Sequence, residues 1–331
     1  MRLSVLDQSP ISDGRTACEA LQESVRLAQA AERLGYYRYW VAEHHNNPRF
    51  AGASPEVLLT HVAAYTSAIR VGAGGVLLPH YSPYKVAENF RVLQALHPGR
   101  IDLGIGRAPG TDYRTTLALR NGKSGHEDDF PQQLSGLLGY LRDDLAAERP
   151  FAGVKARPEC EGVPEVWLLG SGGQSAVYAA QFGLPFCFAH FINGEGGEDS
   201  ARFYRDRFTP SPLFAQAQVS VAVFVVCAET EAAAEVLASS LDLMLLRLEE
   251  RAGKGVPSVG EALAFPYNRW QRRWIEQNRA RMVVGDPLQV KRKLLDMAAG
   301  YGADEVVVVT ICHDFQDRLR SYELLAEVFA M

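Results

Sequence analysis

The sequence is poor in the features that mark several protein classes. It has no basic surplus: 34 lysines and arginines stand against 39 aspartates and glutamates, a formal net charge of −5. Nucleic-acid and anionic-membrane proteins need a basic footprint, so neither partner is expected. No stretch approaches the roughly 18 consecutive apolar residues of a membrane-crossing helix. The opening Met1-Arg2-Leu3-Ser4-Val5-Leu6-Asp7-Gln8 meets an Asp and a Gln too soon for a signal-peptide core. The cysteines number five, an odd count at wide spacing with no C-x-x-C pair. Reduced thiols and a cytoplasmic location are expected, rather than a zinc ribbon or a disulfide framework. What remains is 331 residues, 47% apolar and 22% charged. That is an ordinary globular composition, long enough to bury a large core without crosslinks.

Short apolar runs alternate with helical patterns along the chain. Strands are predicted at Arg2–Leu6, Tyr37–Ala42, Ile69–Ala73, Ile101–Ile105, Val166–Leu169, Leu184–Phe188, Val219–Val226 and Glu305–Thr310. Helical periodicity follows them, for instance over Ala17–Leu34, Pro83–Leu96, Gly172–Phe182, Thr230–Leu248 and Phe315–Phe329. Ser54-Pro55 and Asp286-Pro287 read as helix starts. Eight fully apolar strands, each with a helix, predict an α/β fold, a (β/α)8 TIM barrel. An open doubly wound sheet is the alternative. Residues 108–162 and 251–284 fit neither unit and read as insertions after strands four and seven. The whole of 1–331 then reads as one barrel domain.

Barrel chemistry sits at the C-terminal ends of the strands. Asp7, Gln8 and Ser9 follow strand one. Glu43, His44, His45 and Asn46 follow strand two, the densest cluster of chemical groups. Imidazole exchanges protons near neutral pH, and alternation turns only one of the two histidines inward. Gly74 and Gly75 end strand three and would admit a flat ligand closely. Arg107 follows strand four with a fork suited to phosphate. Gly170-Ser171-Gly172-Gly173-Gln174-Ser175 joins strand five to a helix, where backbone N–H groups favour an anion. A bound metal is not expected. The rival that needs one is a metal-dependent hydrolase built on His44, His45 and His313.

The chain resembles the bacterial luciferase-like flavin-dependent oxidoreductases. The matching segments are Trp40-Val41-Ala42-Glu43-His44-His45-Asn46, Arg70 to Pro79, and Pro98 to Arg107. Val166 to Ser171 with Ser175-Ala176, Gly183-Leu184-Pro185-Phe186, and Val284-Gly285-Asp286-Pro287 match further on. The resemblance implies FMN as cofactor, with its ring near Gly74 and Gly75 and a cis peptide between them. It implies phosphate contacts from Arg107, the Ser171 and Gly172 backbone and the Ser175 hydroxyl, with Gly170 in the cofactor site as well. His44 takes the place of a catalytic acid or base, with Glu43 supporting it or meeting a partner subunit. The implied reaction uses reduced FMN from a separate flavin reductase, and O2, to oxygenate a small organic substrate in a homodimer. Alternatives are an F420-dependent hydride-transfer enzyme and a non-catalytic FMN-binding protein. After Arg107 the chain reads Ala108-Pro109-Gly110-Thr111-Asp112 and departs from the luciferase pattern; Gly106 stands where luciferase has a reactive cysteine.

Overall fold

The computed structural model describes residues 1–331 except 109, 124–128, 146, 148 and 149. Its strands are β1 (Arg2–Asp7), β2 (Arg38–Val41), β3 (Arg70–Leu77), β4 (Ile101–Gly106), β5 (Glu165–Gly170), β6 (Phe186–Ala189), β7 (Val219–Cys227), β8 (Met282–Gly285) and β9 (Glu305–Val309). Their pairings are parallel. β1 to β7 follow one another around a ring, and β9 between β7 and β1 closes it. This is the predicted (β/α)8 TIM barrel.

Alternating side chains divide the interior from the outer layer. Leu3, Val5, Tyr39, Val41, Val71 and Leu103 face outward into the main core beneath the helices. Leu6, Trp40, Trp167, Cys187, Ala222 and Val307 face inward. Charge closes the barrel floor. Arg38 bonds Asp102 at 2.7 Å and Glu305 at 2.8 Å, and all three are buried. A paired, hydrogen-bonded cluster is the form in which buried charge is tolerated.

The helices are α1 (Ala17–Arg33), α2 (Pro55–Ala64), α3 (Pro83–Leu96), α4 (Tyr113–Leu119), α5 (Phe130–Arg142), α6 (Gly173–Phe182), α7 (Gly197–Arg207), α8 (Glu231–Glu249), α9 (Val259–Ala264), α10 (Arg269–Asn278), α11 (Pro287–Tyr301) and α12 (Phe315–Phe329). Local chemistry starts several of them. Thr16 with Glu19, and Asp286 with Gln289, form reciprocal capping boxes on α1 and α11. Ser54 stands at the N-cap of α2 but its hydroxyl makes no cap bond; Pro55 alone marks the start.

Two expectations need correction, and a third gains detail. Strand three does not stop at Ala73: β3 continues through Gly74 and Gly75 to Leu77, and its register with β4 slips between Gly74 and Val76. The segment 108–162 is not wholly an insertion. Its α5 buries Phe130, Leu134, Leu137 and Leu141 in the main core, so it belongs to the helical ring. The segment 251–284 contains α9 and α10 and ends in β8, which pairs with the C-terminal half of β7 from Phe224–Met282 to Cys227–Gly285.

Candidate active site

Side-chain size creates a cavity at the C-terminal mouth of the barrel. Trp40 and Trp167 fill the interior, ring against ring at 5.5 Å. Above them the inward positions are small: Ala42, Gly74, Gly75, Gly106, Ala189 and Ala222 line an opening of about 610 Å³. Glu43, His44, Gly74, Gly75, Arg107, Gly170, Ser171, Gly172 and Ser175 all line this one space. Gln8, Leu77, Phe191 and Ile192 line it as well. The peptide between Gly74 and Gly75 is cis. A Cβ on Gly74 would stand 2.7 Å from Leu6 Cδ1, and one on Gly75 2.6 Å from the Gly104 carbonyl oxygen. Only glycine fits there, and the wall stays flat.

The β5–α6 turn is receptive to an anion. Gly172 is the N-cap of α6, and no side chain caps the helix's free N–H groups. A Cβ built on Gly172 meets nothing within 4 Å, so the backbone there fronts open space. Gly170 must lack a side chain because a Cβ would strike the Ser175 hydroxyl. Asn193 Nδ2 donates to the Ser171 carbonyl at 3.0 Å and fixes the turn. Arg107 is exposed at the rim. Its guanidinium forms no hydrogen bond or ion pair with the described residues. A cation and a row of N–H groups around open space fit a phosphate-bearing cofactor.

The histidine pair separates as alternation predicts. His44 lines the cavity; its ring stacks on Phe50 with centroids 4.4 Å apart. Nδ1 of His44 is buried and has no hydrogen-bond partner among the described residues. Burial pushes the His44 pKa down to about 4, and neighbouring His45 adds to the fall. His44 is therefore neutral at neutral pH, able to accept a proton at one nitrogen and donate at the other. His45 turns aside, with Nε2 2.6 Å from Glu43 Oε1. Tyr81 donates to the same carboxylate oxygen at 2.7 Å, and the Leu77 N–H donates to the other at 3.0 Å. Glu43 thus ties the His44 loop to the end of β3.

His313 lies elsewhere, with Nε2 3.2 Å from the Asp13 carbonyl. The three histidines of the metal-hydrolase alternative therefore face three different partners. Among the described residues no group of three or more metal-ligating side chains comes together, and no helix is long and apolar enough to cross a membrane.

Gln8, noted only as following strand one, is a polar cavity residue to which sequence reasoning gave no role. The signal was present: Leu6 faces inward, so the period of two in a strand turns Gln8 inward as well.

A parallel barrel with a glycine-walled cavity at its C-terminal mouth is the architecture of an α/β-barrel enzyme. Comparison makes the family definite. The profile of the luciferase-like monooxygenases matches residues 1–305, and the chain belongs to that family. The Bacillus subtilis protein YwcH is 53% identical, covering 99% of each chain. The N-acetyl-S-alkylcysteine monooxygenase of Bacillus subtilis is 39% identical over 99% of this chain and 98% of its own. Among solved structures, apo-MsnO8 is 41% identical with a TM-score of 0.90, covering 99% of this chain and 98% of its own. The fold recurs in the oxygenating constituent of 3,6-diketocamphane monooxygenase from Pseudomonas putida, solved in complex with FMN. That protein is 17% identical, TM-score 0.72, with 99% of this chain and 97% of its own covered. It recurs also in an F420-dependent secondary alcohol dehydrogenase, 11% identical, TM-score 0.68, covering 99% and 98%.

Proposed function

We propose that this protein is a flavin-dependent monooxygenase that takes reduced FMN from a separate reductase and uses O2 to oxygenate a small organic substrate. The observation that carries the reading is the single cavity joining a flat glycine wall, the anion-receptive turn with Arg107, and neutral His44. The monooxygenase relative at 39% identity supports it. Reduced FMN, when bound, supplies two electrons for splitting O2: one oxygen atom enters the product and the other leaves as water.

The chain's residues have distinct tasks in this reading. Arg107 and the backbone N–H groups of Gly172 to Ser175 grip the phosphate. Gly74 and Gly75 admit the ring edge against β3. His44, held by Phe50, exchanges a proton with a group in the cavity. Glu43, with His45 and Tyr81, holds that loop in place. Trp40, Leu6 and Phe191 keep water from the reacting end.

The test supplies reduced FMN and ¹⁸O₂ with a panel of small sulfides, including an N-acetyl-S-alkylcysteine, together with ketones and amines. One labelled oxygen in a product is expected. Substrate turnover with reduced F420 in the absence of O2 would overturn the reading. Tight FMN binding with no labelled product from any substrate would favour the non-catalytic flavin-binding alternative.

A further inference from the structure

The two ends of the cavity differ in chemistry. One end carries Arg107 and the uncapped start of α6. The other is the wall at the end of β1. In the closed ring β1 and β5 face each other, with β2, β3 and β4 on one side and β6, β7 and β9 on the other. The β1 wall is thus as far from the β5–α6 turn as the barrel allows.

Strand alternation sends Asp7 outward, where it bonds Arg318 at 2.6 Å, and turns Leu6 and Gln8 onto the cavity. Gln8 is only 6% exposed. Its amide nevertheless forms no hydrogen bond with any described residue. A primary amide has two donors and an accepting oxygen, and covering it with a ligand that meets none of them is costly. Beyond the end of the adjacent strand β2, the His44 ring lines the same cavity. Arg107 is the only lysine or arginine among the described lining residues, and it belongs to the far end. Glu43 is the only carboxylate among them, and its oxygens are already engaged by Leu77, Tyr81 and His45.

We propose that Gln8 is a specificity-determining residue that pairs with a neutral carbonyl or amide group of the substrate. The proposal rests on the flavin reading, which assigns the far end to the cofactor's phosphate. A hydrocarbon at this wall would leave the Gln8 amide unmet. A carboxylate would find no cation there and would meet the field of Glu43. A carbonyl accepts from the Gln8 NH2 group, and an amide N–H also donates to its oxygen.

The experiment measures binding to the cofactor-free full chain by calorimetry or ligand-observed NMR. Three probes share a phenyl body: N-benzylacetamide, 3-phenylpropanoate and butylbenzene. Wild type is expected to bind the acetamide about 10-fold tighter than either other probe. Gln8→Leu is expected to abolish that preference; Gln8→Met, closer in shape, repeats the test if the first variant folds poorly. Both variants should bind FMN as wild type does. Absence of the preference in wild type, or its survival in a folded variant, overturns the proposal. Loss of FMN affinity in the variants also overturns it, since Gln8 would then serve the cofactor. Failure of wild type to bind FMN sinks the flavin reading alone, because the probe preference is read without cofactor.

Discussion

Replacement of Arg107 by alanine should separate binding of the phosphate from binding of the flavin ring. Arg107 is exposed and unpaired among the described residues, so its loss breaks no native contact. Stability should change by no more than about 0.5 kcal/mol, the usual range for such a surface site. A charged hydrogen bond contributes about 1.5–3 kcal/mol, and solvent screening at the rim reduces this. Roughly 1–2 kcal/mol remains, a loss of about 5- to 30-fold in FMN affinity. Riboflavin has the same ring and no phosphate, so R107A should bind it as wild type does. Calorimetric titration of both proteins with both ligands forms a double-mutant-type cycle. The FMN difference should shrink as salt rises. Equal FMN affinity in the two proteins, or an equal loss for riboflavin, would refute the phosphate contact.

Three further outcomes are expected. Gly172→Ala places a methyl in open space, with nothing of the protein within 4 Å; the melting temperature should hold while FMN affinity falls about 10-fold or more through blocked approach to the helix start. His44 titrates near its ordinary value of 6.5 when unfolded and at about 4 when folded. The unfolded chain therefore binds more protons between those values, and stability is lost as pH falls through that window. His44→Gln should flatten the slope by roughly 1–3 kcal/mol between pH 7 and pH 4 in urea unfolding, and an unchanged slope would count against the buried neutral imidazole. Arg49 is buried and donates to the carbonyls of Arg247 at 3.3 Å and Gly253 at 3.2 Å, and also to that of Ala252. Arg49→Ala should lower stability by about 1–3 kcal/mol and speed proteolysis after α8; an unaltered cleavage pattern would show that the contact does not hold that segment.

The architecture was legible where side chains repeat the strand or helix period over enough residues. β7 and β9 are rich in valine, and their apolar runs and length left no rival assignment. β8 was not legible: Met282-Val283-Val284-Gly285 is four residues between an arginine-rich helix and the Asp286 cap, too short for a period to show. Phe130, Leu134, Leu137 and Leu141 keep helical spacing, but Asp129 makes no side-chain cap bond, and the start of α5 was lost in a mixed segment. Gly74 and Gly75 looked like a strand end because glycine is weak in strands. Pairing with β4 on either side of the register slip carries β3 onward to Leu77.

Within the cavity the glycines, His44 and Arg107 were legible because special residue types stand at strand ends. The division between His44 and His45 followed from alternation. The bond from the Leu77 N–H to Glu43 was not legible, because it joins residues 34 positions apart. Gln8 escaped because a polar residue just past a strand reads as ordinary loop until its empty hydrogen-bonding sites are seen.

The central claim is that the cavity holds a reduced flavin mononucleotide. It is tested most directly by anaerobic titration of the purified chain with reduced FMN, followed by absorbance and calorimetry. Saturable one-to-one binding, weakened in R107A and G172A but retained in H44Q, is the predicted result. Absence of reduced-FMN binding, with saturable binding of reduced F420 in its place, would contradict the account.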